Sequence, residues 1–286
     1  MPKRKSSCLN REVPEPVKRE IRKRCGFGCI KCGRLFCEYH HFAPEFPKAE
    51  GHNPQGITLL CPNHHADCTS GRINNDSIRK HDQDPYCLKK GHSKYLLEDL
   101  EFPLEVVLGS IVFISDDGVL LKIDDEEILG ITSGTEDEPP YINSKLSLNS
   151  GDDLIIVKNE IIAGTKSWDI ESKSSEITIR KKLGDIALNL FFEPPRRIFI
   201  KRIKMNYKGN IIETEFEGKI LIKTPSGAMI DFARGEIVIG GQLLLDSSKG
   251  IQITNGSRVF GLEKELRFEI DLSSLFAEVR GFRGEK

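Results

Sequence analysis

The sequence predicts an α+β protein in two parts, a small cysteine- and histidine-rich front followed by a longer all-β region. Three observations carry that expectation. All eight cysteines fall within the first 87 residues, and ligand-type side chains crowd the stretch from Cys25 to His65. From about residue 96 short β-branched runs separated by turn signals take over. Charge divides at the same place: residues 1–95 hold 18 Lys and Arg against 10 Asp and Glu, and the rest hold 24 against 33. A basic front and an acidic back point to the front as the part that meets a polyanion such as nucleic acid.

At 286 residues the chain has room for one large domain or two ordinary ones. A hydrophobic content of 38% with 30% charged residues is that of a soluble globular protein. No apolar run approaches the roughly 18 residues of a membrane span. The start, Met1-Pro2-Lys3-Arg4-Lys5, has no apolar core behind it. The expectation is a cytoplasmic protein with no membrane contact. Cysteines clustered beside histidines in such a chain favour a metal site over disulfides.

Residues 1–16 read as a basic flexible tail. Val17 and Ile21, four apart, share one face of a short helix whose other positions are basic, and Gly26 and Gly28 stop it. Cys29-Ile30-Lys31-Cys32-Gly33 has the form of a zinc knuckle: two intervening residues let a tight turn aim both thiolates at one ion. Leu35–Tyr39 reads as a strand ending in the pair His40-His41. Three prolines and Gly51 then mark a loop from Phe42 to Gln55. Gly56–Leu60 reads as a second strand running into Cys61, and Pro62 opens a helix that carries His64 and His65. Asp76 or Ser77 is placed to cap a further short helix through His81.

The domain boundaries that follow are 17–95 for the metal-rich domain and 96–286 for the all-β domain. Runs such as Ile111–Ile114, Leu154–Val157, Ile198–Ile200, Ile211–Phe216 and Ile237–Ile239 alternate with turns at Asp117-Gly118, Gly209-Asn210 and Gly240-Gly241. A sandwich is preferred to a β-solenoid, because no fixed-period repeat is found. Leu262–Leu266 is ambiguous between helix and strand. Trp168 is expected in the core of this domain. No residue of the β-domain announces a function.

Cys29, Cys32, Cys61 and His64 form two pairs with two residues between members, the spacing of a closed Cys3His zinc site with a structural role. Cys25, Cys37 and Cys68 are lower-ranked substitutes. The competing reading is a reduced cysteine set without metal. A structural site needs only four ligands, so His40, His41 and His65 are surplus to it. Either they pack around the zinc, or they do chemistry of their own. His52, His81 and His92 read as surface histidines.

The order Cys29-x2-Cys32, Tyr39-His40-His41, then Leu59-Leu60-Cys61-x2-His64-His65 resembles the HNH (ββα-metal) nuclease family in its zinc-stapled form, over roughly residues 17–75. The resemblance implies a metal-dependent endonuclease that hydrolyses phosphodiester bonds of double-stranded DNA. It implies His41 as general base and His40 with His65 as ligands of a catalytic divalent cation, Mg2+ or another such as Mn2+ or Ni2+. The family's first metal ligand is most often Asp. Here it is a neutral histidine, which shifts preference toward softer divalent metals. The Asn that orients the base commonly lies where this chain has Gly56, and Asn53 is the nearest substitute. Arg22, Arg24 and Arg72 are the candidates for phosphate contact, set against the reading that these charges are only solvated.

By analogy, a basic nuclease joined to an acidic β-domain suggests an effector of bacterial restriction or antiviral defence. The β-domain would then serve as sensor, specificity module or site of homo-oligomer or partner-protein contact. The alternative is a non-catalytic zinc module that binds nucleic acid or protein.

Overall fold

The computed structural model describes residues 9–148, 153–215, 218–232, 236–254 and 258–260. Strand makes up 48% and helix 17%, so the coarse class is α+β with a β-rich part. The chain divides into two compact units: the first combines the residues up to Leu96 with Ile162–Asp185, and the second combines Leu97–Ile161 with the chain from Ile186 onward. Among the described residues no helix is long and apolar enough to cross a membrane.

The first unit begins with helix α1 (Glu15–Cys25). Val17, Ile21 and Cys25 recur every four residues and so form one stripe. Ile21 and Cys25 are fully buried and Val17 packs against the same core. Glu15 lies in the first turn and Arg22, Lys23 and Arg24 in the last, each matched to the helix dipole. Gly26 ends the helix at φ 71°, a left-handed conformation that glycine adopts without strain, and its N–H bonds back to Lys23 O.

Strands β1 (Glu38–His41) and β2 (Ile57–Leu60) pair antiparallel, with His40 opposite Thr58 and His41 opposite Ile57. Helix α2 (Pro62–Thr69) follows β2 directly, then α3 (Asn75–Gln83), α4 (Tyr86–Lys90) and strand β3 (His92–Leu96). The cap of α3 is Asn74, whose side chain accepts from Ser77 N at 2.8 Å, rather than Asp76 or Ser77, which lie inside the helix.

Two sequence-based expectations change here. The tail expected over residues 1–16 is ordered over much of its described part: Val13 is buried in the core and α1 already starts at Glu15. Residues 1–8 lie outside the described residues. The second change concerns residues 162–185, assigned by sequence to the β-domain but belonging to the first unit. They carry the antiparallel pair Asp169–Lys173 and Glu176–Lys182. Asp169 accepts two hydrogen bonds of 2.8 Å from Arg22, and Ser172 donates to Leu35 O at 2.6 Å. Trp168 is not a core residue of the β-domain. It is half-buried, with the Arg19 guanidinium 3.6 Å from its ring centroid, a cation–π contact.

The second unit is built of strands. One hydrogen-bonded path runs Gly250–Thr254, Gln242–Asp246, Gly118–Ile123, Glu126–Thr132, Tyr141–Ser147 and Asp153–Val157. A second joins Arg197–Tyr207 in parallel to Leu104–Leu108, which pairs antiparallel with Ile111–Ser115, itself parallel to Glu236–Ile239. Alternation explains the strands: in Tyr141–Ser147 the buried positions are Ile142, Ser144 and Leu146, while their neighbours are half-exposed. Leu262–Leu266 lies outside the described residues.

Candidate metal centre and histidine cleft

The Cys3His set is brought together as the spacing predicts. The ligand atoms of Cys29, Cys32, Cys61 and His64 all lie within 4.8 Å of one another. The knuckle turn is closed by Gly33 N–H to Cys29 O at 2.9 Å and is tied to β2 by Ile30 N–H to Leu59 O at 3.1 Å. Cys61 follows β2 and occupies the N-cap position of α2, so a single strand-to-helix junction supplies both remaining ligands. Tetrahedral zinc, with bonds of about 2.3 Å to sulfur and about 2.0–2.1 Å to nitrogen, spaces its ligands about 3.8 Å sulfur to sulfur and about 3.5 Å sulfur to nitrogen. The structure has 3.7 Å from Cys32 Sγ to Cys61 Sγ, and 3.3 Å from His64 Nδ1 to both Cys29 Sγ and Cys61 Sγ. The cluster therefore fits a metal such as zinc with all four positions filled by protein. A hydrogen bond from Cys32 draws the Cys29 thiol down to about 4, and the same bond raises Cys32. One of the pair is thus ready to bind as thiolate.

The other thiols stand apart from this set. Cys25 is buried with its Sγ 3.4 Å from Thr58 Oγ1, and burial pushes it up to about 11. Cys37 donates to Arg34 O at 3.0 Å, and burial raises it too. Cys68 is half-exposed and its pKa is raised, burial being the first cause.

His40, His41 and His65 sit on a different wall. Consecutive helical residues project about 100° apart, which sends His64 to the cysteines and His65 away from them. His65 lies edge-on to His40, ring centroids 5.1 Å apart. All three histidines line one cleft of about 1020 Å³, shared with Arg11, Lys18, Glu38, Glu45 and Cys68 among others. Neighbours on a strand face opposite ways, so their meeting requires that the strand end. It does: β1 stops at His41, and the next two amides, of Phe42 and Ala43, both donate to Gly56 O. Gly56 permits this because a Cβ there would stand 1.9 Å from Ala43 O. An Asn at position 56 is therefore sterically excluded in this loop.

Burial, then repulsion from His65 and His41, lowers the His40 pKa to about 4, and burial followed by His52 lowers that of His41. Both rings are thus held neutral, with a lone pair available. His65 Nδ1 is 3.0 Å from Glu38 Oε2; a neutral His65 donates there, which leaves Nε2 as its lone-pair nitrogen.

The remaining predicted residues are placed differently. Asn53 accepts from Gln55 N at 3.1 Å, capping the turn Pro54–Gly56, and lines a separate hollow with His52, Lys48 and Glu50. Arg22 is not available to a phosphate: it is 5% exposed, chelates Asp169 and donates to Tyr39 OH at 2.9 Å. Burial opposes its charge, yet the bonds to Asp169 leave its pKa raised. Arg24 is held inside by Asp82 and by Pro54 O. Arg72 is exposed and pairs with Asp67 at 2.7 Å. The cation that the sequence reading missed is Arg11, exposed on the cleft wall and without a hydrogen-bond or ion-pair partner among the described residues. His52, read as a surface residue, has its Nδ1 3.2 Å from His41 Nε2. Neither residue carries a motif that would flag it, since only the loop's path brings His52 to His41.

No family model, curated protein or solved structure matches the chain.

Proposed function

We propose that the first unit is a metal-dependent endonuclease of the HNH class with a zinc-stapled ββα-metal core, hydrolysing phosphodiester bonds of double-stranded DNA. The observation that carries this reading is the separation of His40, His41 and His65 from the Cys3His cluster and their meeting in one cleft. Held neutral by burial, His40 offers a lone pair, and Glu38 leaves His65 Nε2 as donor. Two imidazoles leave a site open to solvent and substrate, the arrangement of a catalytic rather than a structural ion. A divalent cation bound there supplies charge neutralisation at the phosphate and at the departing oxygen. Mg2+, Mn2+ and Ni2+ are the ions to try, and two nitrogen donors favour the later two.

His41 is the general base: its neutral ring takes a proton from the attacking water while the ring of Phe46 stands edge-on at 5.1 Å and holds it in place. Arg11, on the same wall, offers a guanidinium to a phosphate oxygen, a contact that weakens with salt. Glu38 orients His65. The strand-rich unit, read as a sandwich, would serve as the sensor, specificity or oligomerisation part of a cytoplasmic defence or restriction effector.

A non-catalytic zinc module is the second reading. It accounts for the four staple ligands and for the internal use of Arg22 and Arg24, but it leaves the convergence of three further histidines without a purpose.

Plasmid nicking by the full chain with each of the three metals tests the proposal. Wild-type protein is expected to cut, and His41→Ala to lose about 100-fold or more of the rate, the usual share of a general base. Undiminished cutting by His41→Ala would remove His41 from the chemistry. No cutting with any metal favours the binding module.

A further inference from the structure

The loop between β1 and β2 carries His52 back to His41, behind the ring and outside the cleft lining. Its two ring nitrogens have different partners. Nδ1 is 3.2 Å from His41 Nε2, and Nε2 is 2.9 Å from the backbone carbonyl oxygen of Asn10.

With both rings neutral, these two contacts set where the hydrogens lie. A carbonyl oxygen only accepts, so His52 Nε2 must carry a hydrogen and donate it to Asn10 O. A neutral imidazole has one N–H, so its Nδ1 is bare and accepts. The hydrogen between the rings then belongs to His41 Nε2. A neutral His41 holding its hydrogen on Nε2 has its lone pair on Nδ1, and nothing among the described residues hydrogen-bonds to that atom. The two rings are 5.3 Å apart between centroids, tilted by 57°, and Phe46 flanks His41 at 5.1 Å, so the ring is held from two directions. Asn53, the orienting residue expected from sequence, has its side-chain oxygen committed to Gln55 N.

We propose that His52 is the positioning residue of this site: with Asn10 O behind it, it keeps His41 in the Nε2–H tautomer and presents Nδ1 as the atom that accepts a proton. The role of the accepted proton rests on the reading of His41 as general base, whereas the tautomer itself does not. The Asn10–His52–His41 chain also gives the N-terminal segment a purpose, since the backbone carbonyl of residue 10 sets the direction of every hydrogen bond beyond it.

The test uses the full chain, as wild type and as His52→Leu and His52→Asn. Ring nitrogen NMR on histidine-labelled protein, with His41 assigned by comparison with His41→Ala, reads the tautomer directly. Wild type should show Nε2–H at His41. His52→Leu should show a tautomer mixture, and His52→Asn, whose amide oxygen accepts in place of Nδ1, should return toward Nε2–H. Plasmid nicking should fall about 10- to 100-fold in kcat for His52→Leu with KM little changed, the cost of a misoriented group, and recover in part for His52→Asn. Bound zinc per chain, measured on each variant, separates these effects from misfolding. The proposal is overturned by an Nδ1–H His41 in the wild type, or by His52→Leu retaining both the wild-type tautomer and the wild-type rate. If the wild type fails to cut with each of the three metals, the nuclease reading fails by itself, and the tautomer measurement still decides the role of His52.

Discussion

The two units are stabilised by different physics. In the first, four cysteines are buried, Cys29 and Cys61 of the metal cluster together with Cys25 and Cys87, and a buried ion pair, Arg22 with Asp169, joins residues 147 apart in sequence. In the second, the core is Ile, Leu, Val and Phe at alternate strand positions, and charged pairs such as Arg196 with Glu101 lie in solvent. The first unit adds to its apolar core point interactions that are strong but local. A strand-rich unit spreads its stability over many modest burials.

Metal removal should break this contrast most widely. Stripping zinc with a chelator, or substituting Cys61→Ser, is expected to unfold the first unit, because apparent structural-zinc binding energies are on the order of 10 kcal/mol or more. Calorimetry or circular dichroism should then lose one melting transition while the transition of the strand-rich unit persists. If both transitions survive chelation, the metal is not what holds the first unit.

Asp169→Ala should follow in size. It leaves the Arg22 guanidinium buried without its carboxylate, which costs about 3–5 kcal/mol when a buried pair loses one partner. The transition of the first unit should drop in denaturant midpoint, although residue 169 lies in sequence within the β-rich region. A drop confined to the other transition would contradict the assignment of 162–185 to the first unit.

The smallest expected effect sharpens the other side of the comparison. Leu245, fully buried in the second unit, pairs in register with Ile123. Leu245→Ala should cost about 2–5 kcal/mol by lost burial and the cavity left behind. It should shift only the second transition, and zinc content and nicking rate should be unchanged. Zinc loss in this variant would mean that the two units do not melt as separate bodies.

How much of this was legible beforehand follows from the range of each interaction. Helix α1, strands β1 and β2, and helix α2 are announced by signals within a few residues of one another: Val17 and Ile21 four apart before Gly26, the pair His40-His41 before a proline loop, and Pro62 after Cys61. The four metal donors are equally local, since a two-residue gap suffices to aim both side chains of a pair at one ion. Arg22, Arg24, Asn53 and His52 could not be sorted this way. An arginine on a basic helix looks the same in sequence whether it faces solvent or a carboxylate far along the chain.

Sequence by itself thus determined the Cys3His donor set, the order of elements around it and the presence of surplus histidines, because these follow from spacing and local backbone preference. Tertiary structure alone decided that residues 162–185 belong with the metal-rich unit, that Arg22 is an internal strut, and that His52 closes on His41. Each of those depends on two segments meeting in space, and the energy of that meeting is carried by burial and hydrogen-bond geometry, which have no imprint on residue spacing.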